Sequence, residues 1–292
     1  MRARILVVAT LTLLLLAPPS WGQSPVVEPR SANNLLLCSW NIKWFKDTGR
    51  DLAKLAKVIA KFDICGIVEL QSDLVLDDLA AALQTETGEA WTYIQSNRTG
   101  NSTSYFERFA FIWRDQKVRI ASGHVGNVSD LPKTFRHEPY IATFRSGNFD
   151  FRFLLIHTRW TTPIERAKEV EQIANDFRFF QTLGRERDLI LAGDFNYADD
   201  VDPMSPITEL DDVINLIPNN TKTTLKGSGE GFSSSYDHIF VHKEATKERT
   251  GKAGAYNFVL GQGFTSTQTA KKELSDHLPV WAQFKTDGPD DD

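Results

Sequence analysis

The sequence predicts a sheet-rich α/β or α+β domain, with sheets packed together and helices outside. Three features of its 292 residues predict this. Apolar runs of strand length recur from residue 35 to residue 284, a few amphipathic helices interrupt them, and no linker rich in Pro, Gly or Ser divides the chain. The composition, 41% hydrophobic and 24% charged, supports a substantial core and excludes wholesale disorder.

Residues 35–40 form an apolar run that ends at Asn41. Residues 51–61 then place Leu52, Leu55, Ala56 and Ile59 at helical spacing, and a second apolar run, 64–68, ends at Glu69. This is a strand, helix, strand unit. The pattern next predicts a helix over 74–83 and strands over 109–114, 140–144 and 151–156, with Ser146, Gly147 and Asn148 joining the last two as a hairpin. Residues 164–180 carry Ala167, Val170, Ile173, Ala174 and Phe177 on one helical face, with Pro163 near the start, and lead into a strand at 189–192. Short strands are expected at 239–242, 256–260 and 280–284.

The ends read differently. Arg2 and Arg4 precede an apolar run at 5–16, and Ser20, Trp21 and Gly22 close the segment on a small residue, the pattern of a secretory signal over residues 1–22. The run is shorter than the roughly 20 residues a spanning helix needs, so no membrane span is expected. The protein is accordingly expected to be secreted or periplasmic, and monomeric. Residues 23–34 form a short N-terminal segment, 35–286 the folded domain, and 287–292 an acidic tail expected to be disordered.

Charge and cysteine content narrow the functions. A formal net charge of −5 excludes a protein that grips nucleic acid by bulk electrostatics, so any such contact must be local. Two cysteines exclude a disulfide-stapled miniprotein and a zinc-finger array. Export permits a Cys38–Cys65 bridge, and two buried free thiols fit equally well. Sequons at Asn97, Asn101, Asn127 and Asn219 matter only in a eukaryotic secretory pathway.

Chemistry-bearing residues recur where apolar strands stop or start. Asn41, Glu69, His157 and the Gly-Asp-Phe-Asn run at 193–196 each follow a strand, while Asp237 and the Ser-Asp-His run at 275–277 precede one. Taken alone, an Asn or Glu after a strand is usually a turn or cap residue, and a lone histidine is usually structural. Their joint occurrence points further, because strand ends hold reacting side chains rigidly while loops shape a pocket.

Taken together, Ser-Trp-Asn-Ile-Lys-Trp at 39–44, Ile-Val-Glu-Leu at 67–70, Tyr-Phe-Glu-Arg at 105–108, Ile-His-Thr at 156–158, Gly-Asp-Phe-Asn at 193–196, Tyr-Asp-His-Ile at 236–239 and Ser-Asp-His-Leu-Pro at 275–279 resemble the endonuclease/exonuclease/phosphatase superfamily, most of all its deoxyribonuclease I branch. The likeness covers nearly all of the chain after residue 22, in the family's order. It implies an α+β fold, a four-layer αββα sandwich of two mainly antiparallel sheets packed face to face with helices outside, and an active site at one edge of the sheets.

The resemblance also implies roles. Glu69 and Asp276, with Asn41 nearby, would bind Mg²⁺, with Mn²⁺ or Ca²⁺ as alternatives, because hard cations prefer oxygen ligands. His277 would be the general base with Asp237 fixing its tautomer, and His157 the general acid oriented by Glu107. Asp194 and Asn196 would hold a non-bridging oxygen, a second cation or the attacking water. Tyr105 would contact phosphate, and Arg136, His137 and Arg108 would bind substrate. Two positions depart from the family pattern: His137 stands where the branch carries a phosphate-binding arginine, and Gln71 where it carries a DNA-contacting one.

The implied activity is Mg²⁺-dependent hydrolysis of nucleic-acid phosphodiesters, most of all in DNA. The same catalytic set also serves a phosphatase or phospholipase C-type phosphodiesterase acting on inositol phosphates or sphingomyelin. A silent binding protein on this scaffold is a third reading, disfavoured because every carboxylate and histidine the mechanism needs is present. For the nuclease, Arg98, Arg108, Arg159 and Arg166 are candidates to border a phosphate groove.

Overall fold

Parallel neighbours cannot be joined by a tight turn, so each parallel pair needs a long crossover, and helices supply two of them here. The computed structural model describes residues 23–46, 49–100 and 106–289. Strand β1 covers Gln23–Ser24 and β2 covers Asn34–Phe45; helix α1 (Leu52–Ile59) then carries the chain to β3 (Ile64–Leu70), which lies parallel to β2. Helix α2 (Val75–Thr87) leads to β4 (Trp91–Gln95), β5 (Arg108–Arg114), β6 (Arg119–Asn127), β7 (Tyr140–Ser146) and β8 (Phe149–His157). Helix α3 (Pro163–Thr182) is the second crossover, returning the chain to β9 (Leu189–Asp194) parallel to β8. The remainder comprises α4 (Ser205–Thr208), β10 (Val213–Asn215), β11 (Asp237–His242), β12 (Arg249–Tyr256), α5 (Phe258–Gly261), α6 (Thr267–Glu273) and β13 (Val280–Lys285).

The strands form a seven-stranded sheet, β1-β12-β13-β2-β3-β5-β4, and a six-stranded sheet, β10-β11-β9-β8-β7-β6. Pairing in both is mainly antiparallel, as expected. Period-two alternation builds the layers. In β8 and β9, Phe153, Leu155, Ile190 and Ala192 share one core with residues of the first sheet, while Leu154, Ile156, Leu189 and Leu191 pack with Val170, Ile173, Ala174 and Phe177 of α3. Leu55, Ala56, Val58 and Ile59 of α1 join the first sheet's core from its outer side. The result is the four-layer αββα sandwich. Each such fully buried aliphatic or aromatic side chain contributes about 1.5–3 kcal/mol. The two sheets pack tightly at Gly66, where an added Cβ would lie 2.9 Å from both Leu155 and Phe153 side chains.

This topology decides where the chemistry sits. β2, β3, β8 and β9 leave one edge of the sandwich at their C-terminal ends, which carry Asn41, Glu69, His157 and Asp194. β5, β11 and β13 run antiparallel to these neighbours and enter at that edge, so Glu107, Asp237, Asp276 and His277 lie at or just before their starts.

Several expectations are corrected. The strand expected at 256–260 ends instead at Tyr256, and residues 258–261 turn into a helix whose Asn257 side chain accepts from Leu260 N at 3.2 Å. A short apolar run does not distinguish a strand from a buried helix by pattern alone. Strands β4 and β6 and helix α6 are additions to the expected elements; β6 is largely exposed and has no apolar run to mark it. Cys38 and Cys65 are Cα partners across β2 and β3, buried and unbridged, so the free-thiol alternative is the one observed. The signal expected over residues 1–22, Asn101, Tyr105 and residues 290–292 of the tail lie outside the described residues. The start of the tail is held where Asn148 Nδ2 donates to Gly288 O at 2.9 Å.

Gly193, next to Asp194, adopts φ +146°, and a Cβ there would fall 1.9 Å from the carbonyl oxygen of Ile156 on the parallel neighbour. Gly193→Ala should therefore destabilise the fold by about 2–4 kcal/mol. Urea unfolding followed by circular dichroism checks this, and a midpoint equal to that of the wild type would refute the close approach.

Candidate active site

Local backbone irregularity aims the side chains. The β2–β3 register shifts between Asn41 and Phe45, and the β3–β5 register shifts between Ile67 and Leu70. Lys43, Trp44 and Glu69 all take left-handed φ values of 50°, 45° and 62° within these breaks, and Asn196 takes 51° beyond β9. Such bulges turn a side chain that strict alternation would send into a sheet face toward the edge instead.

Two histidine–carboxylate pairs face each other across this edge. His157 Nδ1 donates to Glu107 Oε2 at 2.7 Å, and His277 Nδ1 donates to Asp237 Oδ2 at 2.8 Å. A carboxylate can only accept, so each bond puts the proton on Nδ1 and leaves Nε2 to face the site. Both Nε2 atoms approach the same Asp194 Oδ2, at 3.7 Å from His157 and 3.6 Å from His277, and His157 Nε2 lies 3.8 Å from Glu69 Oε1. Asn41 Nδ2 donates to Glu69 Oε1 at 2.8 Å and to Asp194 Oδ2 at 3.1 Å. Asn196 N donates to Asp194 Oδ1 at 2.8 Å, while its own Nδ2 donates to Thr158 O. The predicted residues Asn41, Glu69, Glu107, His157, Asp194, Asn196, Asp237, Asp276 and His277 thus occupy one place.

Burial sets the electrostatics. It pushes the Glu69 and Asp194 carboxyls above their usual range, with the two histidines pulling the other way. Burial alone would lower the His157 pKa, but the adjoining Glu107, Asp194 and Glu69 carboxylates raise it to about 10. His277 is likewise raised well above its ordinary value, burial being outweighed by Asp237, Asp194 and Asp276. Asp276 moves down, because His277, Lys43 and Lys271 overcome its desolvation. Two imidazolium protons therefore balance a concentration of buried negative charge.

The oxygen donors fit a hard divalent cation. Glu69 is a mostly buried carboxylate whose oxygens accept from Asn41 and from the Trp44 N–H, and Asp276, which lies 3.3 Å from Lys43 Nζ, shares with it the charge of Arg50. Asn41 fits less well. Its amide oxygen accepts from Lys43 N at 2.9 Å, which leaves one lone pair, and its NH₂ faces the carboxylates and orients Glu69 and Asp194. Among the described residues, two other groups bring three ligand atoms together: Glu107, His137 and His157, and Asp194, Asp237 and His277. In each, a carboxylate already holds a histidine Nδ1–H, which is an arrangement for orienting imidazoles.

The predicted substrate residues fall into different settings. His137 is buried beneath His157, its ring stacked at a 5.6 Å centroid separation, with Nε2 3.6 Å from Glu107 Oε1 and Nδ1 3.2 Å from Thr99 Oγ1. Burial pushes its pKa down to about 4, so it supports Glu107 as a neutral ring instead of meeting phosphate. Arg108 donates to Ser96 O at 3.0 Å and to Asp73 Oδ2 at 3.1 Å. Arg159 is tied to Glu169 and Thr134 O, Arg98 lies over the Phe106 ring, and the Arg136 backbone N–H donates to Glu169 Oε1 at 2.6 Å.

Two contributors escaped sequence reasoning. Thr223 Oγ1 donates to Asp237 Oδ2 at 2.6 Å, bracing the second pair from an irregular loop that shows no periodicity. Ser275, part of a recognised run but given no role, donates to Asn41 O at 2.6 Å and accepts from His277 N at 3.0 Å.

The model of the Endonuclease/Exonuclease/phosphatase family matches residues 38–277. A protein named deoxyribonuclease from Thioalkalivibrio sp. (strain K90mix) is 29% identical over 265 residues, covering 86% of this chain and 71% of its own length. Human deoxyribonuclease-1-like 1 is 26% identical over 243 residues, covering 79% of this chain and 76% of its own. The crystal structure of an endonuclease/exonuclease/phosphatase family protein from Bacteroides thetaiotaomicron superposes with a TM-score of 0.61 at 17% identity, covering 86% of this chain and 95% of that one.

Two histidines should give stability opposite pH limbs when divalent cations are chelated. His137, at about 4 when folded against about 6.5 unfolded, binds fewer protons in the folded state, so stability falls as pH drops from about 6.5 to about 4. His157, raised to about 10, contributes fully below about 6.5 and loses that contribution as pH rises toward 10. Urea midpoints should peak near neutrality, and His157→Gln should make the alkaline limb shallower. An alkaline limb unaltered by that substitution would contradict the raised pKa.

Proposed function

The chain belongs to the Endonuclease/Exonuclease/phosphatase family, and on that premise we propose that it is an exported, divalent-metal-dependent nuclease that hydrolyses phosphodiester bonds of DNA. The observation that carries the proposal is the convergence of two oppositely placed histidine–carboxylate pairs on Asp194. In-line hydrolysis needs one group to take a proton from water and another, across the phosphorus, to give one to the leaving oxygen. Relatives named deoxyribonuclease, at 21–29% identity, support DNA as the substrate. Residues 1–22 support export to the periplasm or the medium.

In this mechanism His277 Nε2 accepts a proton from water as the water oxygen bonds to phosphorus. His157 Nε2 delivers its proton to the departing 3′-oxygen, which leaves a 5′-phosphate on the other product. The high pKa of His157 suits a group that must arrive protonated. Asp237 and Glu107 keep each ring in the Nδ1–H tautomer, with Thr223 and His137 holding those carboxylates from behind. Asp194, fixed by Asn41 and the Asn196 N–H, stabilises both rings as they carry charge. Glu69 and Asp276 would hold a divalent cation, Mg²⁺ foremost, which would supply charge neutralisation at the phosphate and would ease the negative field that keeps His277 protonated.

Purified protein lacking residues 1–22 should nick supercoiled plasmid with Mg²⁺ and stop on chelation. His277→Ala and His157→Ala should each slow nicking by roughly 10²-fold or more. The same preparation assayed on RNA, sphingomyelin and inositol polyphosphates should turn these over more slowly than plasmid. Hydrolysis of a phosphomonoester or lipid head group without plasmid nicking would overturn the DNA assignment.

A further inference from the structure

Two tryptophans at the rim are out of keeping with the other described tryptophans. Trp40, Trp91, Trp113 and Trp281 are buried, whereas Trp44 and Trp160 are 51% and 70% exposed. Each lies three residues beyond a site residue at an outgoing strand end, Trp44 after Asn41 and Trp160 after His157. They therefore rise from different sheets on the two sides of the same centre.

Both are anchored to that centre through their backbones. The Trp44 N–H donates to Glu69 Oε2 at 3.0 Å. The segment bearing Trp160 is joined to the site where Asn196 Nδ2 donates to Thr158 O at 2.8 Å and Thr158 Oγ1 donates to Phe195 O at 2.5 Å. Arg166 Nη1 donates to Trp160 O at 3.1 Å, and its guanidinium lies 3.8 Å from the Tyr197 ring centroid, fixing a cation beside the Trp160 backbone.

The electrostatics give these rings a task. The chain carries a net charge of −5, and Arg108 and Arg159 are occupied by Asp73 and by Glu169 and Glu165, so neither of these arginines stands free to hold a phosphate backbone. Stacking of a base on an indole supplies affinity that is tolerant of sequence, and an unpaired base offers its face where a base inside a duplex does not. We propose that the substrate at this site is unpaired DNA, a single strand or a melted stretch, whose bases flanking the scissile phosphate stack on Trp44 and Trp160. The inference rests on the phosphodiesterase reading above and adds its strand preference.

Two readouts test it. With divalent cations chelated, an oligothymidylate of eight or so nucleotides should quench tryptophan emission more strongly than a duplex of equal length, and Trp160→Ala should weaken that binding. With Mg²⁺, the ratio of kcat/KM on a single strand to that on the matching duplex should exceed one. Trp44→Ala and Trp160→Ala should each lower that ratio roughly five- to hundredfold, and Trp160→Phe should keep most of it. The ratio is insensitive to a general loss of folded enzyme or of chemistry. A wild-type preference for duplex, or a ratio unmoved by either alanine, would overturn the stacking assignment alone. Failure of the wild type to cut either strand would instead remove the nuclease reading, and this inference with it.

Discussion

Crowding several carboxylates into one poorly solvated edge is the constraint around which the rest of the molecule is arranged. Glu69, Glu107, Asp194, Asp237 and Asp276 gather there, and four of the five are largely withdrawn from water. Ionised groups so placed repel one another and lose hydration, which is tolerable only with compensating positive charge and donors. The protein supplies two imidazoles, an asparagine NH₂ and backbone N–H groups from residues 44 and 196. A cation bound at the outer carboxylates would compete with the imidazolium protons for the same compensating role.

The fold makes that crowding possible. Two helical crossovers send parallel strand pairs out at one edge, and their antiparallel neighbours come in at the same edge. Because the sheets pack face to face, outgoing ends from one sheet meet those of the other, and residues more than a hundred positions apart come within hydrogen-bonding distance, as Asn41 and Asp194 do. The tight sheet spacing at Gly66 and the close approach at Gly193 serve this geometry, since either position filled by a larger residue would separate the strands that present the acids.

Much of this was legible in the sequence, for physical reasons. Apolar runs in β2, β3, β8 and β9 are buried and nearly continuous, so both they and the polar residues ending them stand out. Helix α3 was visible from its stripe of Val170, Ile173, Ala174 and Phe177. Less was visible where structure depends on distant partners. Strand β6 is an exposed edge with no periodic signal, and residues 258–261 form a helix because Asn257 caps it, although the apolar run reads equally well as strand. The same limit explains Thr223 and the donor role of Asn41. Both follow from left-handed breaks or loops that bring a neighbour into place, and no local pattern encodes that neighbour.

The account stands on two imidazoles held as Nδ1–H tautomers with their Nε2 atoms turned to a common centre. Nitrogen-15 correlation spectra of the histidine rings, recorded across pH and on adding Mg²⁺, test this most directly. The account predicts that His157 and His277 both keep a protonated Nδ1, that both titrate at Nε2 above the ordinary histidine range, and that Mg²⁺ lowers both titrations together. A neutral Nε2–H tautomer at either ring, or a metal response confined to one of them, would contradict it.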